Sequence, residues 1–304
     1  MQSLYAFYQT EETNLEKGQN DLLGSIERIF DLYLYQLSIL PEFTFIAQQQ
    51  IDDNRAKMLP GHSDLNPNMK FVNNRVIQQI AQSTELKEIC RDRSIIWDNN
   101  PELLRRIFNF MRSSREYEEY IELPRDDYEW DKEFTERVFR KYISGNHYLK
   151  HYYEEANIHW TEDIYLVNNL AFKTIEQIQP DKPHSLIIPG VYKDAVDDKN
   201  FVLDLFAKTI FHRKRNEKLI AGKTKNWEID RIALIDIILM SMALAELSDM
   251  PTIPIKVSLN EYIEISKLYS TPKSRIFING ILDKLVMDLR EQGEINKHGR
   301  GLVE

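Results

Sequence analysis

The sequence predicts an all-α fold. Three observations carry that prediction. Glycine and proline are scarce, 10 and 11 in 304 residues, too few for the turns of a β-rich or low-complexity chain. Apolar residues recur at helical spacing in almost every segment. No strand followed by a glycine-rich turn and a helix occurs.

Residues 20–40 place Leu22, Leu23, Ile26, Ile29, Phe30, Tyr33, Leu34 and Leu37 on one helix face, and Pro41 is expected to stop that helix. Residues 52–70 hold Pro60-Gly61 and Asn66-Pro67 and read as a loop. Helical patterns resume over 71–91, 101–120, 131–155 and 161–178. Residues 180–190 carry three prolines and a glycine and mark a boundary between two parts. Beyond it, 201–220 reads as one helix. The segment 226–247 is apolar nearly all round, which predicts a central, buried helix. After the turn DMPTIP, residues 255–270 place Ile255, Leu259, Tyr262, Ile263 and Tyr269 on one face. Thr271 and Pro272 then supply the N-cap and first position of a last helix. Its stripe is Ile278, Ile281, Leu282, Leu285 and Leu289, and Gly293 terminates it. Four linked helices with short turns fit a bundle.

The 39 basic and 48 acidic residues give a net charge of -9, against broad phosphate-driven nucleic-acid binding; a local basic patch remains compatible with it. The single cysteine, Cys90, rules out an internal disulfide and suits a reduced, cytoplasmic setting. The start MQSLYAFYQT lacks a signal-peptide pattern, and the apolar run 232–247 is too short and too polar to span a membrane.

Several segments carry residues of chemical interest. Gly222-Lys223-Thr224 resembles the end of a phosphate-binding loop, but Glu217 stands where the motif needs glycine. His147, His151, Glu155 and His159 are spaced four apart and suit a metal on one helix face; without a second half-site, a solvated aromatic-lined face is the simpler reading. Asp194, Asp197 and Asp198 read as a helix cap rather than a calcium loop. No nucleophile motif appears, and no cofactor or enzyme activity is expected. The turn YSTPKSRIF stands apart. Lys273 and Arg275 fall in the first turn of a helix, where the dipole favours negative charge. An external phosphate would justify them, with Tyr269 and Phe277 beside it for unstacked bases. The competing reading makes both aromatics core and the cations solvated.

The run 235–247, then IPIKVSLNEYIEISK, then SRIFINGILDKL, resembles the transcription antitermination factor NusB family in order, spacing and connecting turns. Trp227 and Arg231 fit the approach to the first of these helices, and MQSLYAFYQ is similar to the family's first helix. The resemblance covers about 200–290 and the first nine residues. It divides the chain into N-terminal helices (1–40), a helical insertion (41–197), a C-terminal helical subdomain (198–293) and a tail (294–304). It implies an all-α bundle of two subdomains. It implies non-catalytic binding of boxA-type ribosomal RNA leader transcripts together with NusE, a ribosomal small-subunit protein, within an RNA polymerase antitermination complex. It makes Tyr5, Tyr269, Lys273 and Phe277 RNA-face candidates, alongside Arg275 from the turn chemistry, and Asp236 a partner contact. Asn260 and Glu261 match a motif pair whose role is read as structural. Asn279-Gly280 is expected to mark tight helix packing. The family's arginine-rich arm has no counterpart before Met1, which implies weaker RNA affinity and more dependence on NusE. The alternatives are a NusB-like RNA-binding accessory domain acting in ribosomal RNA modification or ribosome biogenesis, and a helical metalloprotein.

Overall fold

The computed structural model describes all residues except 98–99, 125–126, 158–159, 181–185, 225–230 and 299–304. Among the described residues it is entirely helical, with fifteen α-helices and one π-helical segment. They are α1 (Gln2–Gln9), α2 (Leu15–Arg55), α3 (His62–Leu65), α4 (Arg75–Gln82), α5 (Thr84–Asp92), α6 (Pro101–Arg112), α7 (Arg115–Glu122) and α8 (Tyr128–Val138). After the π-helical segment Phe139–Ser144 come α9 (His147–Ala156), α10 (Trp160–Glu176), α11 (Ala195–Phe211), α12 (Arg213–Lys223), α13 (Leu234–Asp249), α14 (Ile255–Tyr269) and α15 (Pro272–Glu291). The chain forms two compact units: Met1–Gly24 with Tyr192–Glu304, and Ser25–Val191.

The unit Ser25–Val191 is built around α2. Leu32, Leu34, Leu37, Ile39, Leu40 and Phe43 are fully buried and meet the apolar faces of α4, α6, α8 and α10. Pro41 does not stop this helix, which runs on to Arg55. A proline inside a helix costs about 3 kcal/mol. Burying one leucine-sized side chain contributes about 1.5–3 kcal/mol, and several flank Pro41 on both sides, so packing wins. A buried polar node adds specificity. Asp131 accepts from the Tyr120 hydroxyl at 2.7 Å and from Arg75 Nε at 2.9 Å. Asn74 caps α4 by accepting from the Ile77 amide at 3.0 Å and donates to the Asp131 carbonyl at 3.1 Å.

In the other unit α13 is central, as its all-round apolar character predicts. Residues from Ile238 through Leu247 are buried, with α1, α11, α12, α14 and α15 packed around them. The segment 201–220 is not one helix. His212 ends α11 and begins α12, placing a corner at Phe211. Thr271 caps α15 as expected, accepting from the Ser274 amide at 3.1 Å. The tight packing expected at Gly280 is absent: a Cβ there would meet nothing within 4 Å. The close approach is at Gly18, where a Cβ would lie 2.8 Å from the Phe7 ring and 3.0 Å from that of Phe206.

Candidate nucleic-acid interface

The turn joining α14 to α15 is fixed from inside. Ser270 donates to the Asp236 carboxylate at 2.5 Å. Asp236 is 3% exposed and lies in the first turn of α13, where the helix dipole favours its charge. This residue, expected as a partner contact, is thus placed beneath the turn. Thr271 and Pro272 then orient the first turn of α15, which carries no acidic residue.

Lys273 is exposed and Arg275 half-buried, and neither makes an ion pair among the described residues. Several other cations of this unit do. Lys223 pairs with Asp288, Arg215 with Glu294, and Arg213 with Glu217 at 2.8 Å. Tyr269 is half-buried, and its hydroxyl accepts from the Gln2 side chain at 3.5 Å. That contact brings α1 to the turn, with Tyr5, 38% exposed, one helical turn beyond Gln2. Phe277 is partly buried against the core, so its ring serves packing as well as surface. Lys273, Phe277, Gly280 and Lys284 follow one another at helical spacing and share a face of α15. Gly280 leaves bare backbone open on that face.

The other candidates fall to ordinary roles. His151 meets Glu155 at 3.4 Å, with both side chains exposed; His159 lies outside the described residues. Among the described residues no three metal-capable side chains are grouped. Lys223 of the Gly-Lys-Thr triplet holds Asp288, and Thr224 donates to the Ala221 carbonyl at 2.9 Å. Asp194 caps α11, accepting from the amides of Val196 and Asp197 at 3.0 Å. Burial pushes the Cys90 thiol up to about 11, which leaves little thiolate at neutral pH. No described helix is long and apolar enough to cross a membrane.

The chain is 45% identical over 120 residues to a transcription antitermination protein NusB from Salinibacter ruber, a match spanning 40% of this chain and 74% of that protein. The chain belongs to the NusB family. The NusB family model itself matches residues 168–287. A NusB from Geobacter sulfurreducens is 38% identical over 108 residues, covering 36% of this chain and 78% of that one. One from Chloroherpeton thalassium is 40% identical over 124 residues, 41% of this chain and 59% of its own length. No solved structure matches. The family match begins inside α10 and ends inside α15.

Proposed function

We propose that this NusB-family chain acts as a non-catalytic antitermination factor. It binds boxA-type ribosomal RNA leader transcripts with NusE and delivers them to an RNA polymerase complex. The observation that carries the reading is the α14–α15 turn. Its cations lack carboxylate partners, stand at a helix start that favours anions, and lie beside Tyr269 and, through Gln2, Tyr5. A lysine there raises local phosphate affinity, and tyrosine faces suit unstacked bases. Asp236 acts through Ser270, holding the turn in place for RNA and NusE together.

The test is fluorescence anisotropy with labelled boxA RNA and a scrambled control, with and without purified NusE, across a salt series. Selective binding that tightens with NusE is expected. Equal affinity for the scrambled RNA, even with NusE present, would sink the reading.

A further inference from the structure

Among the described residues, no aromatic side chain is more exposed than Phe211, at 81%. It stands at the corner where α11 ends and α12 begins, with its ring edge-on to His212 at 5.0 Å. The helix it introduces opens Arg213-Lys214-Arg215 and has no acidic residue in its first turn. Arg213 and Arg215 are held by Glu217 and Glu294. Lys214 and Lys218, one turn apart and both exposed, make no ion pair among the described residues.

This corner is tied to the α14–α15 turn through α1. Gln2 donates to Tyr269 at one end of α1. Near the other end the Tyr8 ring lies 4.2 Å from the Arg213 guanidinium, and the Tyr8 hydroxyl donates to the Thr209 carbonyl at 3.5 Å. The span from Gln2 to Tyr8 is about 9 Å at the α-helical rise. Exposed Tyr5 lies between. Exposed aromatic faces with unpaired cations at both ends make a surface on which single-stranded RNA can stack its bases and track its backbone.

We propose that the RNA track runs from the turn along α1 to the α11–α12 corner. There Lys214 and Lys218 hold phosphates and Phe211 stacks a base. This rests on the RNA-binding reading above and extends it to a second contact region. Lysines four residues apart sit about 5–6 Å apart at their Cβ atoms, close enough to serve neighbouring phosphates.

The experiment compares the full chain with Lys214→Glu/Lys218→Glu and with Phe211→Ala. The probes are labelled RNAs of about 8 nucleotides carrying boxA and of about 16 nucleotides extended at either end. All three proteins should melt together, because the altered side chains are exposed. Wild type should bind an extended RNA more tightly than the short one. The double variant should lose that advantage, about tenfold, and show a salt slope shallower by about 1–2, as expected for two single-strand phosphate contacts. Phe211→Ala should lose several-fold on the extended RNA alone. Wild-type affinity of both variants for the extended RNAs would overturn the track while leaving the turn as an RNA site. Weakened NusE binding with unchanged RNA binding would assign the corner to a protein and overturn it too. Absence of wild-type binding to every RNA would remove both the track and the reading it extends.

Discussion

A Cβ on Gly18 would press on two phenylalanine rings at 3.0 Å or less, whereas one on Gly280 would enter open space. The two glycines therefore answer opposite demands, and alanine should separate them. Gly18→Ala is expected to lower stability by about 1–3 kcal/mol through overpacking. Gly280→Ala should raise it by about 1 kcal/mol, because glycine is the poorer helix former. Thermal melts of both variants check this, and a stabilised Gly18→Ala would mean the rings move aside freely. Lys273→Glu belongs to the same scale. It reverses one exposed charge without touching the core, so melting should stay put while RNA affinity falls about ten- to a hundredfold, since a lost charged contact is worth about 1.5–3 kcal/mol. Unchanged RNA affinity would remove the turn from the interface. The cations and aromatics of that turn were legible in the sequence because capping and dipole rules act within a few residues. The burial of Asp236 was not, because its partner Ser270 is 34 residues away.

Between elements, α13 and α14 share a buried hydrogen bond. The Tyr262 hydroxyl donates to the Glu246 carboxylate at 2.7 Å. Burial, and then the neighbouring charge of Glu246, raise the phenol well above its ordinary value near 10. A group whose folded pKa is raised contributes stability that is complete below its unfolded pKa and lost as pH rises beyond it. Stability should therefore fall above about pH 10 in wild type and less steeply in Tyr262→Phe. That variant should also lose about 1–3 kcal/mol at neutral pH, because Glu246 keeps a buried oxygen without its donor. Denaturant melts between pH 8 and pH 11 would decide; parallel curves would mean the phenol does not set the alkaline slope. The same scale explains two misjudged boundaries. Pro41 breaks helices locally, but the fully buried residues around it in α2 override it. The break at His212 has no glycine or proline to announce it; it follows from packing α11 and α12 separately onto α13.

For the whole molecule, two separate apolar clusters imply two cooperative units. Phe43→Ala, in the cluster around α2, and Leu244→Ala, in the cluster around α13, should each cost about 2–5 kcal/mol. Each should shift its own part of the unfolding profile. Hydrogen exchange read peptide by peptide would show this, and loss of protection across both units in either variant would mean the chain unfolds as one. The net charge of -9 argues against indiscriminate RNA binding, so affinity must come from a few placed cations. On the proposed RNA reading, the salt slope would measure how many phosphates the turn and the α11–α12 corner engage.

By itself the sequence determined the helical class, the central buried helix α13, the Thr271 cap and the family. The first three rest on spacing within a few turns of chain, where propensity and periodicity act, and the family rests on the resemblance of about 200–290 to known members. Only the tertiary structure decided which glycine is crowded, that α2 passes through Pro41, that Asp236 lies beneath Ser270, and that α1 links Tyr269 to Arg213. Those outcomes depend on residues far apart in the chain, brought together by burial of two cores that no local pattern encodes.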